Sequence, residues 1–183
     1  MTNDECAKPK PRHLTHLGDG RLIRKDHPVI VWRGEMDCFA AFLLEAQLLG
    51  ERLGKARFAA EIREIAGFVQ HLIVCEAAGR ASGEFRLLGW SGDEVRRLSH
   101  EAARSAGPGQ PPRSCSAEMG ELAVSLNRLR ALCRKAESAA VTAFVDAAGQ
   151  EPRPDLILAL DRLSSLLYVL MFRHGDSPRP PPG

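Results

Sequence analysis

The chain has 183 residues, of which 44% are hydrophobic and 26% charged, and its formal net charge is +2. These values are typical of a globular protein of about one domain. The balanced charge and the lack of a basic stripe with interleaved aromatic residues predict no nucleic-acid partner. No run reaches the roughly 20 apolar residues that a membrane span needs. Five irregularly spaced cysteines and the opening MTNDE predict a cytoplasmic protein rather than a secreted one.

The composition divides the chain into three parts. Residues 1–13 are predicted to be a flexible arm, 14–174 a single helical domain and 175–183 a disordered Pro-rich tail. At the start of the domain, residues 14–34 are punctuated by glycines and a proline. They are predicted to form an irregular loop with short extended stretches, because this segment contains the β-branched run VIVW.

Apolar residues at helical spacing predict five helices, near 35–53, 57–78, 92–104, 117–147 and 154–173. The predicted inward positions are Met36, Phe39, Leu43, Ala46 and Leu53 in the first helix, and Phe58, Ile62, Ile65, Val69 and Leu72 in the second. In the fourth they are Met119, Leu122, Leu126, Leu129, Cys133, Ala136, Ala140 and Phe144, and in the fifth Leu156, Leu160, Leu163, Leu167 and Leu170. Ser91 and Glu94 have the spacing of a capping box at the start of the third helix. The stretch AGPGQPPRS favours a turn between the third and fourth helices. The fold class is therefore all-α, a five-helix antiparallel bundle.

The last two predicted helices carry polar residues beside their apolar stripes. In the fifth, Asp161, Arg162, Ser164 and Ser165 interrupt an apolar run, and solvation of the helix's outer side would explain them equally well. In the fourth, Arg134 and Ser138 are helical neighbours on one flank, next to Glu137. A surface ion pair is the plain alternative for these charges.

The segment LGDGRLIRKD, residues 17–26, combines small residues with cations that suit phosphate groups. An ordinary surface loop is the alternative. No G-x-x-x-x-G-K-[ST] motif occurs, so a Walker-type site is excluded. No Glu-x-x-His, His-x-x-x-His or Cys-x-x-Cys spacing occurs either, and we predict no resident metal site.

Four ordered segments resemble the ATP:corrinoid (cobalamin) adenosyltransferase family: RKDHP from Arg24, GEMD from Gly34, CRKAES from Cys133 and DRLSS from Asp161. They match the family's lysine-containing stretch, G-x-x-D, a CRRAER-like helix and an NRLSD-like helix. The segments LTHL, DEVRRLSH and RPDLILALDRLSSLLYVLMF resemble the ethanolamine-utilisation type in particular, and the propanediol-utilisation type is also similar.

The resemblance implies a helical-bundle homotrimer with active sites between subunits, acting in the cytoplasm alone or in association with a metabolic microcompartment. The implied reaction transfers the 5′-deoxyadenosyl group of ATP to the cobalt of a reduced corrinoid, with Mg²⁺ as cofactor and hand-over of the product to a cobalamin-dependent ammonia lyase. The implied catalytic residues are Arg134, Asp37 and Asp161. The implied ATP-binding residues are Lys25, Gly18, Gly20, Arg24, Arg134, Glu137 and Asp161. Candidates for an apolar wall against the corrinoid are Phe85, Leu87, Leu88 and Trp90.

Two departures from the family pattern define the alternatives. Asp161 replaces the family asparagine, so an ionised carboxylate would repel triphosphate unless Arg162 or magnesium compensates. The cysteine-rich metal site that the ethanolamine type carries upstream of LTHL is represented by Cys6 at most. The alternatives are a catalytically impaired relative that carries a corrinoid, and a helical interaction module without nucleotide affinity.

Overall fold

A computed structural model describes residues 10–17, 20–104 and 113–175. The described residues do not include Gly18. They also leave out residues 1–9 of the predicted arm, residues 105–112 between the third and fourth helices, and residues 176–183 of the predicted tail. No helix in the described part of the chain is long and apolar enough to cross a membrane.

Within those residues the structure confirms the all-α bundle of five helices. They are α1 (Pro28–Arg52), α2 (Ala56–Ala77), α3 (Gly92–Arg104), α4 (Gly120–Phe144) and α5 (Pro154–His174), with a 3₁₀ turn at Ala117–Met119. Two short antiparallel hairpins accompany them. The first joins β1 (Leu14–His16) to β2 (Leu22–Arg24), and the second joins β3 (Arg86–Leu87) to β4 (Trp90–Ser91).

The first helix begins earlier than predicted. The run VIVW is helical rather than extended, because Pro28 occupies the first turn and the Nδ1 of His27 accepts the Val29 N–H at 3.2 Å. The prediction for residues 28–34 was therefore wrong, and GEMD lies inside α1. At the other end Leu53 caps the helix and is 40% exposed, so its predicted inward position was also wrong.

Helices α1, α2, α4 and α5 enclose the core. The predicted stripes of α2, α4 and α5 are confirmed, since all their members are buried except the half-buried Phe144. Trp32 meets Phe144 at 5.3 Å between ring centroids near one end of the bundle, and Arg52 pairs with Glu121 near the other. Helices α1 and α4 are thus antiparallel. The indole N–H of Trp32 is fully buried and has no hydrogen-bond partner among the described residues.

Helix α3 packs along α5, outside this four-helix core. The predicted capping box starts it: Ser91 N–H donates to Glu94 Oε2 at 2.8 Å, and Glu94 N–H donates to Ser91 Oγ at 3.4 Å. Gly92 lies against the Arg162 side chain, where an added Cβ would be 3.5 Å from Cγ. The first turn of α3 therefore lies beside Arg162 of α5.

A polar clamp holds the loop after α2 to the start of α5. Asp155 accepts the Ser82 N–H at 2.8 Å and two guanidinium N–H groups of Arg153 at 3.0 Å. Burial alone would raise the pKa of Asp155, but these donors outweigh it and lower the pKa to about 2. The clamp joins segments 73 positions apart in the sequence.

Candidate functional site

A cavity of about 390 Å³ lies where α3, α4 and α5 meet. Each of the three helices contributes polar side chains to it. Its lining residues are Ser99, His100 and Ala103 from α3, Arg130, Arg134 and Glu137 from α4, and Asp161, Ser164, Ser165 and Tyr168 from α5. The cavity therefore brings together Arg134, Glu137 and Asp161, three residues that the sequence analysis selected from two separate motifs.

Helix α4 supplies its part of the lining from one flank. Arg130, Arg134 and Glu137 are spaced at i, i+4 and i+7, which aligns them on one side of a helix. Arg134 is exposed, and its guanidinium makes no hydrogen bond or ion pair with any described residue. Ser138 Oγ donates to the Arg134 carbonyl at 3.1 Å, so this hydroxyl is used within the helix. The Arg134 guanidinium remains available to an anionic ligand.

Two carboxylates occupy one end of the cavity. Burial and the charge of Asp161 raise the pKa of Glu137, and Arg134 partly opposes the shift. Asp161 itself pairs with Arg162, the next residue of α5. The Arg162 side chain is only 15% exposed. The guanidinium that could compensate the charge of Asp161 is thus already in contact with it.

Tyr168 marks the other end of the cavity. The Arg130 guanidinium lies over its ring, 5.3 Å from the centroid, and its hydroxyl donates to the Arg113 carbonyl at 2.9 Å. Arg113 in turn lies over Phe172 at 4.5 Å. Arg130 and the aromatic rings therefore lie about two helical turns from the carboxylates, and Arg134 lies between Arg130 and Glu137 on α4.

Below the carboxylates, Cys133 is fully buried and its thiol contacts the Leu160 carbonyl at 3.4 Å. Burial, with the charges of Glu137 and Asp161, raises its pKa well above the ordinary value. A buried thiol with a raised pKa is a core residue and not a nucleophile. The cavity's chemistry consists of binding and electrostatics.

The remaining predicted residues lie on a different surface. Gly20, Arg24 and Lys25 belong to the β1–β2 hairpin and the turn after it, and Arg24 is bound to Asp26 through two hydrogen bonds. Asp37 is exposed on α1. Glu35 lies on the flank of α1 that faces α4, because it pairs with Lys135 at 2.9 Å. Asp37 is two residues further along α1, so its side chain lies on a different flank of the helix. None of these four lines the cavity.

The predicted apolar wall needs a correction. Phe85 and Leu87 are buried in the protein's own core, at 8% and 4% exposure, and cannot face a ligand. Leu88 stands at the tip of the β3–β4 hairpin with φ of 53°, and the Arg173 guanidinium covers the Trp90 ring at 4.8 Å. The hairpin is a structural corner of the bundle because its apolar side chains pack inward.

Sequence reasoning missed three lining residues: His100, Arg130 and Tyr168. Arg130 had a detectable signal, since it precedes Arg134 by one helical turn on the same flank. His100 and Tyr168 belong to segments that resemble the ethanolamine-utilisation type, but that resemblance singles out neither residue.

A larger groove of about 650 Å³ runs between α1 and α4 and contains none of the predicted site residues. Its cations are already paired: Arg128 with Glu45 at 3.5 Å and Arg52 with Glu121 at 3.6 Å. Size alone therefore does not identify the site. Among the described residues there is also no group of three or more His, Cys, Asp or Glu side chains that could hold a metal ion.

Comparisons with known proteins identify the family of this chain. The sequence profile of the family described as cobalamin adenosyltransferase matches residues 6–174. Corrinoid adenosyltransferase EutT of Escherichia coli is 31% identical over 170 residues, which make up 91% of this chain and 61% of that protein, and its Salmonella typhimurium counterpart matches equally. The chain belongs to the cobalamin adenosyltransferase family. It spans about three fifths of the length of these curated relatives.

A solved structure shares the fold. A variant of the PduO-type ATP:corrinoid adenosyltransferase from Lactobacillus reuteri, complexed with cobalamin and ATP, superimposes with a TM-score of 0.64. The alignment covers 90% of each chain at 15% sequence identity. At that identity the likeness establishes a common fold.

Proposed function

We propose that the protein is an ATP:cob(I)alamin adenosyltransferase of the ethanolamine-utilisation kind. The observation that carries the proposal is the convergence of Arg134, Glu137 and Asp161 on one cavity. The CRKAES and DRLSS segments lie on consecutive helices, α4 and α5, and both turn charged residues towards this one cavity. Family membership and the names of the relatives support the same reaction.

In the proposed reaction the cobalt of the reduced corrinoid attacks the 5′ carbon of ATP. The cobalt supplies both electrons of the new carbon–cobalt bond, the bond from C5′ to the phosphate oxygen breaks, and triphosphate leaves with that electron pair. Because the substrate is itself the nucleophile, the protein needs to position the reactants, stabilise the leaving group and exclude water. A cavity without a reactive thiol suits such a mechanism.

Arg134 is the residue best suited to stabilise the leaving triphosphate, because its guanidinium is exposed to the cavity and unpaired among the described residues. Glu137 and Asp161 would then orient the ribose or the cations. We propose that Asp161 is compatible with activity, since its charge is compensated by Arg162. This contact favours an active enzyme over the impaired carrier.

Magnesium would enter with the nucleotide. Mg²⁺ is commonly held by one or two carboxylates together with substrate phosphates, which fits Glu137 and Asp161 better than a protein-only cage. Bound there, it would neutralise charge on the phosphate chain. Glu137 would gain most from a cation, because its ionised form is disfavoured in its absence.

We further propose that one site is assembled from two subunits of a homotrimer. Lys25, Arg24, Gly20 and Asp37 do not line the cavity of their own chain. They can join Arg134 in one site only if the α1 surface of one copy covers the cavity of the next. Exposed leucines near this surface, Leu44 at 58% and Leu48 at 65%, supply apolar area for such a contact.

The product would serve a cobalamin-dependent ammonia lyase in the cytoplasm.

The test of the activity is an anaerobic assay with reduced cobalamin, ATP and magnesium, which follows loss of the cobalt(I) absorption. We expect protein-dependent formation of a light-sensitive product and release of triphosphate. Cobalamin binding without product would establish the carrier instead, and the absence of both would leave a helical interaction module.

A further inference from the structure

Helix α3 contributes an imidazole to a cavity whose other N–H donors are guanidinium groups. His100 is exposed and lines the cavity, and its imidazole makes no hydrogen bond to any described residue. A neutral imidazole carries one N–H donor and one acceptor, and a protonated one carries two donors. His100 is therefore a ready donor on a wall that lies outside the four ordered motifs RKDHP, GEMD, CRKAES and DRLSS.

The hydroxyl groups around the cavity are largely committed elsewhere. Ser99 Oγ donates to the Arg96 carbonyl at 2.9 Å, and Ser164 Oγ donates to the Asp161 carbonyl at 3.0 Å. Their protons are used inside their own helices. Within the described residues, the N–H donors that remain for a ligand in the cavity are those of His100, Arg130 and Arg134.

His100 shares its cavity with the arginines of α4 and with Tyr168 of α5. Helix α3 packs along α5, and its first turn contacts the Arg162 side chain through Gly92. His100 is about two helical turns further along α3, a rise of about 12 Å. The imidazole therefore lines the same cavity as Arg130 and Arg134 but comes from a third helix.

We propose that His100 donates a hydrogen bond to the phosphate chain of the bound nucleotide, as the third donor beside Arg130 and Arg134. The inference rests on the proposed function for the identity of the ligand. Phosphate is the fitting chemistry because two guanidinium groups and an imidazole supply N–H donors to one cavity. A cavity of about 390 Å³ also suits a phosphate chain better than a corrin ring.

Inorganic tripolyphosphate tests this directly, because it lacks the adenosine and needs no corrinoid. Binding to the full chain is measured by calorimetry, with adenosine as a second probe. We expect His100→Ala to weaken tripolyphosphate binding about tenfold and to leave adenosine binding unchanged. His100→Gln, which keeps an N–H donor, recovers part of the loss.

Arg97→Ala is the matched control. Arg97 is one turn before Glu101 on the same helix, pairs with it at 3.0 Å, and does not line the cavity. It should bind both probes as the unmodified protein does. Equal losses in Arg97→Ala and His100→Ala would reject the proposal, since they would report a disturbed helix. Unchanged tripolyphosphate binding in His100→Ala would reject it as well.

The outcome separates this inference from the proposed function. Tripolyphosphate binding that depends on His100, in a protein that makes no adenosylated product, would support the phosphate contact and reject the transferase activity. A protein that binds no tripolyphosphate would overturn the role of His100, whatever its activity. Loss of adenosine binding alone in His100→Ala would place the imidazole on the nucleoside and overturn the phosphate contact.

Discussion

Glu137 on α4 and Asp161 on α5 line the same cavity as two carboxylates that repel each other. Burial and the charge of Asp161 raise the pKa of Glu137, and Arg134 only partly counteracts them. A protein of this size has ample surface for carboxylates. Placing two of them in one partly buried cavity costs stability, and the Mg²⁺ that we propose to enter with the nucleotide would offset this cost.

Replacing Glu137 by Gln should therefore stabilise the ligand-free protein and weaken ATP binding. A carboxyl group whose pKa is raised on folding favours the folded state below its ordinary pKa, and this contribution disappears as the pH rises through the raised value. At neutral pH the substitution removes the ionised, disfavoured form. After allowance for solvent screening, we expect a melting temperature higher by about 1–2 °C at pH 7 and unchanged near pH 4. A lower melting temperature at pH 7 would contradict the repulsion.

Asp161→Asn should lower both stability and turnover. The substitution leaves the Arg162 guanidinium, 15% exposed, without its carboxylate partner. We expect a loss of about 1 kcal/mol or less in the free energy of unfolding, because the Asp161 side chain is 45% exposed. Chemical denaturation and the anaerobic assay measure the two effects, with Asp161→Glu as the charge-preserving control. A sharp rise in turnover would instead identify a site that has lost activity by drift.

Arg134→Ala should reduce kcat/KM for ATP by about 10- to 100-fold without affecting the fold, since the side chain is exposed and makes no ion pair with a described residue. Lys135→Ala is a close control, because Lys135 is the adjacent residue but pairs with Glu35 on the α1 side. Removal of the Lys135 side chain should change the activity little. Equal effects of the two substitutions would argue against a specific role for Arg134.

Subunit mixing tests whether the site is shared between copies. Arg134→Ala and Asp37→Ala should each inactivate the protein when present in every subunit. The two variants are mixed 1:1, unfolded and refolded together. If each site takes Asp37 from one copy and Arg134 from the next, about a quarter of the sites combine the two unsubstituted residues. We expect activity to return to about that fraction. A mixture as inactive as its components would show that both residues act within one chain.

The Asp155 clamp should contribute to stability in a pH-dependent way. Its pKa is lowered from 3.8 to about 2, so the contribution is fully present above the ordinary value and is lost as the pH falls towards 2. We expect Asp155→Asn to cost about 1–2 kcal/mol at pH 7 and little near pH 2, after allowance for partial exposure. Glu151→Gln, on an exposed residue nearby, serves as control. A constant cost at all pH values would rule out the ion pair as its cause.

The helices that the sequence predicted well are those whose apolar residues repeat over several turns. The apolar stripes run from Leu122 to Ala140 in α4 and from Leu156 to Leu170 in α5. Their regular spacing is compatible only with a helix, and both stripes are buried as expected. The failure at Val29 to Trp32 has a physical cause. β-branched residues favour strands only weakly, and burial of Trp32 together with the His27 cap outweighs that preference.

The charge pattern alone left the solvated alternative open for Arg134, Glu137 and Asp161. The resemblance of CRKAES and DRLSS to family motifs selected these three residues, and the structure places all three at one cavity. His100 reaches the cavity through the packing of α3 on α5, which no local pattern specifies. The burial of Phe85 and Leu87 was equally hidden, because a short hairpin does not reveal which of its faces meets the core.

The two tryptophans provide optical probes of different environments. Trp32 is fully buried against Phe144 with an unpaired indole N–H among the described residues, so its emission should be blue-shifted and resistant to soluble quenchers. Trp90 is half-buried beneath the Arg173 guanidinium and should be quenched more readily. Fluorescence of a Trp90→Phe variant would then report only the junction of α1 and α4, and this signal would distinguish melting of the core from loosening at the α5 end.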